Sequence, residues 1–578
     1  MRKAWRWIIA YLLIGLAVMW WLSGGGPTIV DGSTLVLRVR GEYVDGPVNP
    51  VLARLFGRRE QSLLSFLQQL AKAERDARID TVILRIAGFQ AGWGKADEIR
   101  AAIERVSAEG RRTVAYLEIE KLGGNREYYM ATAADEIVMA PAARNPLVGL
   151  AAEYLFLGGL FEKIGVEMEY ERIGEYKSAV EAYAESKMSD ANREMSAALL
   201  DSIDERFISA IAQARDMTEE EVRAVIDEGP SASERMLELG LVDRVAFLDE
   251  LIGDLPDEQY VSIEEYAQVD AESLGFEAQA SFALVYGSGA VVTGDGALTR
   301  SGQSVLASDT VARAIEDASK DPAISAIVFR VDSPGGSPLA SDVVWRAIER
   351  ARARGKPVVA SFSDVAASGG YYVACGADRI VSQPTTFTGS IGVFVIRPVL
   401  GGLLERLGIG VETMTRGSRA NLLLASEPLS PGSREVLRKD VRSVYELFVD
   451  RVAKGRDMEP EAVNRVGRGR VWTGSQAVEV GLVDVLGGLR TAVLEAKQLV
   501  GLDPDADVDL RIFPPPRPLA AQIAEAFGLA ALYAAGDVVR TSLPDLPLSE
   551  ALRSLLSAVG ELPAGAPLLI PPGMLDIH

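Results

Sequence analysis

The chain contains the same passage twice. Residues 128–138 and 371–381 agree at seven of eleven positions, both opening on a tyrosine pair, Tyr128-Tyr129 and Tyr371-Tyr372, at an offset of 243. Ala102-Ile103-Glu104-Arg105 returns as Ala347-Ile348-Glu349-Arg350 at 245, Gly158-Gly159-Leu160 as Gly401-Gly402-Leu403 at 243, and Gly240-Leu241-Val242-Asp243 as Gly481-Leu482-Val483-Asp484 at 241. A slow one-way drift of the offset is what a duplication leaves when the first copy gains two short net insertions. Whatever the fold is, it is built twice.

Each copy reads as α/β. The runs Asp80–Ile86 and Ser325–Val331 are short and rich in β-branched residues. Each is followed by a glycine-containing loop, an amphipathic helical stretch and a further strand at Thr113–Tyr116 or Pro357–Ser361, the βαβ pattern of a parallel sheet. Ser189–Met217 and Ser430–Met458 have helical periodicity after polar starts, so each copy ends in helices. The chain therefore divides into an N-terminal tip and anchor over 1–30, a first repeat over 31–253, a charged linker over 254–279 without a match in the other copy, a second repeat over 280–500, and a tail over 501–578. The tail opens on Pro514-Pro515-Pro516 and includes an apolar helical stretch, Leu519–Ala535, expected to touch a membrane or a neighbouring subunit.

Composition removes whole classes of chemistry. Hydrophobic residues make up 48% and charged residues 24%, ordinary for a globular chain. The only histidine is His578, the last residue, and the only cysteine is Cys375. A Ser-His-Asp triad, a Cys-His pair, a histidine zinc site and an internal disulfide are therefore excluded, and an enzyme built from this chain must use lysine or a carboxylate as its base. The formal net charge of -21 repels phosphate backbones, and no phosphate-binding GxxxxGK[ST] loop occurs. Neither nucleic acid nor a nucleotide is expected as a partner.

The N-terminus carries Arg2, Lys3 and Arg6, then an apolar run from Trp7 to Leu22 that ends in Trp20-Trp21. At about 1.5 Å per residue the run covers roughly 24 Å, and the uncharged stretch continues to Val30 before Asp31. Basic residues before the run place the N-terminus in the cytoplasm and the bulk of the chain outside. The competing assignment is a cleaved signal peptide, but Met19–Leu22 are too bulky for a cleavage site.

Three loops of the second copy could carry chemistry. Val365-Ala366-Ala367-Ser368-Gly369-Gly370 places a serine among small residues just before a helix, where a backbone N–H and the helix dipole stand ready for an oxyanion; the bland alternative is an N-cap on a tight turn. Asp332-Ser333-Pro334-Gly335-Gly336-Ser337 follows a strand and allows close backbone approach, and Thr388-Gly389-Ser390-Ile391-Gly392 offers another hydroxyl; each alone reads as a turn. The first copy has Asn125-Arg126-Glu127 where the second has Ser368-Gly369-Gly370. Downstream the asymmetry reverses, because Lys177 aligns with Ala420. A lysine acts as a base only when burial keeps it neutral, and the alternative is a solvated Lys177 paired with Glu175 or Glu181.

Together these features resemble the long, duplicated form of bacterial signal peptide peptidase A. The resemblance rests on Ser368 before Gly369-Gly370-Tyr371-Tyr372, the Ser333–Ser337 loop, Thr388–Gly392, Lys177 within Gly174–Glu181, the apolar N-terminus and the tandem repeat, and spans roughly residues 1 to 500. It implies two tandem ClpP/crotonase-like repeats behind a transmembrane helix, and a serine endopeptidase working by a Ser/Lys dyad. Ser368 would be the nucleophile and Lys177 the general base. Gly369 with Gly335 or Gly336 would form the oxyanion hole, and Ser390 would orient the lysine. The resemblance further implies remnant signal peptides and other hydrophobic segments as substrates. It implies a single-pass location in the bacterial inner membrane with the catalytic part extracytoplasmic, assembly as a homotetramer, and no cofactor. Ala182-Tyr183 stands where the family pattern has a proline. Three competing readings make different predictions. A crotonase-type acyl-CoA enzyme has no need of Lys177 and no anchor; a non-catalytic scaffold tolerates loss of Ser368 and Lys177; and a protease specialised for one membrane-protein partner differs only in its substrates.

Overall fold

The computed structural model describes residues 29–48, 60–229, 232–253, 255–296 and 304–515. The expected anchor within 1–30, save its last two residues, and the apolar stretch Leu519–Ala535 lie outside these. Among the described residues no helix is long and apolar enough to cross a membrane.

Each repeat is built on one largely parallel sheet. In the first, the strands run Glu60–Ser62, Ser33–Val44, Ile79–Gln90, Arg112–Leu117, Glu136–Met139 and Arg244–Val245 across the sheet. In the second the order is Val471–Thr473, Phe387–Gly389, Val358–Ala367, Ile324–Ser333, Ala278–Ser288 and Asp507–Phe513, with Arg379–Ser382 and Val485–Leu486 branching from Val358–Ala367. The central strands are apolar almost throughout because helices cover both faces: Ile324, Ala326, Ile327, Val328, Phe329 and Val331 are all inaccessible to solvent.

The repeats share more than strand order. The Tyr128 hydroxyl donates to the Leu241 carbonyl at 2.6 Å, and Tyr371 repeats the contact with Leu482 at 2.8 Å. Asp135 and Asp378 accept N–H groups at the starts of neighbouring strands, from Thr113 and Val358, at 2.8 Å each. Both repeats carry a helix of 26 residues, Asp190–Arg215 and Pro431–Arg456, capped by Ser189 and Ser430 and closed by left-handed Asp216 and Asp457.

Two expected boundaries differ from what is observed. The segment 254–279, expected as an unmatched linker, contributes Tyr260–Ser262, which pairs in parallel with the first strand of its repeat at Thr34–Val36. Asp507–Phe513, expected in the tail, pairs in parallel with the first strand of the second repeat. The two strands are counterparts. The expected linker conceals one because its strand is three residues long and flanked by acidic side chains.

One further pairing joins the copies. Glu167–Ile173 of the first lies antiparallel to Val393–Val399 of the second, with Ile173 opposite Val393. This small sheet sets the loop beyond Ile173 in the first copy beside the loop ahead of Val393 in the second.

Candidate active site at the junction of the repeats

Because Ile173 faces Val393, the residues just past the one and just before the other converge. Lys177 is reached through Gly174, whose φ of +93° and contact with the Arg468 carbonyl leave no space for a side chain. The Lys177 backbone then crosses Gly469, where a Cβ would collide with the Lys177 backbone nitrogen. On the opposing side Ser390, at φ +50°, is fixed by its N–H donating to the Arg470 carbonyl at 2.7 Å.

Lys177 is completely buried. Its Nζ lies 2.7 Å from Ser368 Oγ, 3.0 Å from Ser390 Oγ and 3.0 Å from the Ser390 carbonyl oxygen. No carboxylate offsets the burial, which pushes the amine well below the usual lysine range. The surface alternative fails on the geometry. Glu175 pairs with Arg468 at 2.7 Å, and Glu181 accepts from Arg172, Ser189 and Asn192. Burial alone would raise the Glu181 carboxyl, but Arg172, Ser189 and Asn192 together hold it below the usual carboxylate range.

Ser368 stands between strand Val358–Ala367 and helix Gly369–Ala374, and its hydroxyl does not cap that helix. Its φ of +56° and ψ of −115° are rare for an L residue, a conformation costing about 1–3 kcal/mol that the surroundings must enforce. The Ser368 N–H donates to the Gly389 carbonyl at 2.8 Å and its own carbonyl accepts from Tyr372 at 2.9 Å, which turns the side chain toward Lys177.

The glycines expected to bind an oxyanion gather at the same turn. A Cβ on Gly369 would lie 2.9 Å from the Gly336 nitrogen and 3.1 Å from the Gly335 Cα. Gly335 donates its N–H to Ser333 Oγ at 3.2 Å, whereas the Gly336 nitrogen faces Gly369. Gly369 opens its helix, so its N–H has no acceptor inside it. All six expected site residues therefore meet in one place. Sequence reasoning overlooked Gly174 and Gly469, which let Lys177 in, and the Arg172–Glu181–Asn192 frame behind it. Gly467-Arg468-Gly469-Arg470 was the visible signal for the former, a glycine pair in the second copy just beyond a helix.

A duplicated α/β chain in which one copy's serine hydroxyl meets the other's buried, desolvated lysine has the makings of a serine-type peptidase. Residues 109–262 and 350–503, one block in each repeat, match peptidase family S49. The chain belongs to that family and is a serine-type peptidase. It is 34% identical over 520 residues to the chloroplastic serine protease SPPA of Arabidopsis thaliana, covering 88% of this chain and 74% of that one. It is 29% identical over 526 residues to Protease 4 of Salmonella typhi, covering 86% and 83%. Among solved structures it is similar to a mutant of the 1510-N membrane-bound stomatin-specific protease, with a TM-score of 0.26 and 18% identity, covering 42% of this chain and 100% of that one.

Proposed function

We propose that this protein is a membrane-anchored endopeptidase that degrades remnant signal peptides and other apolar segments with a Ser368/Lys177 dyad shared between its repeats. The observation that carries the reading is the 2.7 Å contact between Lys177 Nζ and Ser368 Oγ inside a site free of carboxylates. A neutral amine has two N–H bonds and one lone pair, and Lys177 has three partners. The Ser390 carbonyl and hydroxyl oxygens accept the two N–H bonds, which leaves the lone pair for the Ser368 proton. Ser390 is thereby the residue that orients the base.

Ser368 Oγ attacks the scissile carbonyl carbon as its proton passes to Lys177 Nζ. The negative charge that develops on the carbonyl oxygen is met by the N–H groups of Gly369 and Gly336, Gly335 being engaged with Ser333. Lys177 returns the proton to the leaving amine, and the acyl ester on Ser368 is then hydrolysed by water activated by the same amine. The apolar N-terminal run with its basic flank supports anchoring with the site outside the cytoplasm. A protein named putative signal peptide peptidase SppA from Enterococcus faecium, 36% identical over 168 residues, supports the substrate class. Assembly as a homotetramer completes the proposal. The test is hydrolysis of a fluorogenic apolar peptide by the detergent-solubilised full chain. Ser368→Ala and Lys177→Ala should each lose at least about 10⁴-fold in kcat/KM while staying folded; wild-type rates in either variant refute the dyad.

A further inference from the structure

Helix Trp93–Ala108 of the first repeat starts at Gly92 and has no capping side chain of its own. Its counterpart in the second repeat, Pro338–Ala353, is capped by Ser337, which accepts from the Ala340 N–H at 3.3 Å. The first repeat receives its cap from across the junction. Asp364, on strand Val358–Ala367, accepts from the N–H groups of Gly92 at 2.9 Å and Lys95 at 2.8 Å. The approach is so close that a Cβ on Gly92 would strike the Asp364 side chain and one on Gly94 the Ser363 carbonyl.

The Lys95 side chain then reaches under the same strand. Its Nζ lies 2.5 Å from Asp332 Oδ2 and 2.6 Å from Asp364 Oδ2, with Asp45 at 3.4 Å. Burial alone would strip its charge, but the three carboxylates keep it charged. The positions of its two nearest partners matter. Asp332 is the last residue but one of strand Ile324–Ser333, directly before Ser333-Pro334-Gly335-Gly336, and Asp364 precedes the Ser368 turn on the adjacent strand. Asp332 also accepts the Val365 N–H at 3.1 Å, so the roots of both segments are tied to each other and to one ammonium. A compact charge with three donors suits three carboxylates.

We infer that Lys95 is a positioning residue for peptide hydrolysis: from the first repeat it sets the spacing between the Gly335–Gly336 loop and the Ser368 turn, and so the geometry of the oxyanion hole. The inference rests on the Ser368/Lys177 reading. It gives the first repeat two lysines with opposite duties, Lys177 neutral among hydroxyls and Lys95 charged among carboxylates.

The test compares full-length wild type with Lys95→Met and with Lys95→Met/Asp332→Asn, by kcat, KM and thermal midpoint on the fluorogenic apolar peptide. The double variant removes one charge of each sign, while the amide put in place of the Asp332 carboxylate retains an oxygen for the Val365 N–H. The double variant is expected to melt close to wild type, with kcat down about 100-fold, as for a reacting geometry displaced by about 1 Å, and KM within about threefold. The acid limb of its pH profile stays in place, because the partners of Lys177 are untouched. Wild-type kcat in either variant overturns the inference. So does a double variant that unfolds or whose activity loss follows its melting, since Lys95 would then be structural. If Ser368→Ala keeps hydrolysing the peptide, the dyad itself falls; if Ser368 is required and Lys95 is not, only this inference falls.

Discussion

At position 368 the second repeat holds a serine in a rare backbone conformation with its hydroxyl on Lys177; at the equivalent position the first repeat holds Asn125, whose amide is spent on the backbone of a neighbouring segment. Asn125 donates to Gly149 at 2.9 Å and accepts from Val148 at 3.2 Å. Beside it Glu127, raised by burial above the usual carboxylate range, accepts the Phe89 N–H at 2.9 Å. The strand before the loop differs in the same sense. In the second repeat it stops at Ser333 before two left-handed glycines, whereas in the first it runs on to Gln90, paired with Glu42. The buried tyrosine contacts and the part-buried aspartate contacts that hold the frame are common to both. At this turn the divergence falls on the loop tip, where a side chain can change partners without opening the core.

The largest expected effect tests whether the lost site can be restored by its motif alone. In a Ser368→Ala background, the triple change Asn125→Ser, Arg126→Gly and Glu127→Gly should regain nothing over the roughly 10⁴-fold or greater loss. The second copy has no lysine at the position that would serve that turn, since Ala420 stands where the first copy has Lys177. Measured hydrolysis above the Ser368→Ala background would show that the repeats are still interchangeable. The supplying lysine leaves a mark on pH as well. Its folded pKa lies below its unfolded value, so its contribution to stability is present above the unfolded pKa and lost as pH falls through the folded one. Activity follows the same direction, falling toward acid as the amine gains its proton. Lys177→Met should therefore be more stable than wild type at neutral pH and inactive, which chemical denaturation with a rate assay checks directly.

A second pair of equivalent residues separates frame from interface. Arg330 is buried in the central strand of the second repeat and pairs across the junction with Asp45 at 2.8 Å and Glu98 at 2.5 Å. Arg85, its counterpart, pairs with Glu118 at 2.9 Å, where the two side chains are 23% and 32% exposed. Arg330→Met takes the guanidinium from two buried carboxylates, leaving Asp45 only Lys95 at 3.4 Å as a cation, and should cost about 3–5 kcal/mol, while Arg85→Met should stay within about 1 kcal/mol. Equal losses in urea melts would mean that the junction is no more tightly held than the surface.

The parts of this molecule that were legible in the sequence are those in which local pattern and repetition agree. Asp80–Ile86 and Ser325–Val331 read as strands because a doubly covered parallel strand is a short continuous apolar run. Ser368 and Lys177 were legible as a pair through the resemblance to signal peptide peptidase A, with which the absence of each from the other copy agrees. Tyr260–Ser262 and Asp507–Phe513 were not legible as counterparts, since edge strands are short or half polar and carry no shared motif. The pairing of Glu167–Ile173 with Val393–Val399, which delivers Lys177, is a contact between distant segments that no local periodicity encodes. Arg330 and Lys95 were passed over for a related reason: one charge in an apolar strand and one in a helix announce a buried network only when their partners are known.

The smallest expected effect compares two caps that look the same. Ser189 and Ser430 each accept the N–H three residues ahead, from Asn192 and Ser433, both at 3.2 Å, so alanine at either should cost about 1 kcal/mol. Each hydroxyl also donates, but Ser430 to the neutral Ser433 hydroxyl at 3.0 Å and Ser189 to a carboxylate. The Ser189 hydroxyl donates to Glu181 at 2.7 Å and its N–H at 3.2 Å, which ties the cap to the carboxylate that also holds Arg172, whose guanidinium donates to the Lys177 carbonyl at 3.2 Å. Ser189→Ala should therefore exceed Ser430→Ala by about 1 kcal/mol, the surplus of a hydrogen bond to a charged acceptor over one to a neutral hydroxyl. The excess has a pH signature. Glu181 titrates below its unfolded value, so the bonds it accepts contribute above that value and are lost as pH falls through the folded pKa, where the two variants should converge. Urea melts at neutral and acid pH measure the difference, and a gap that persists in acid would place the surplus in packing rather than in the frame behind the lysine.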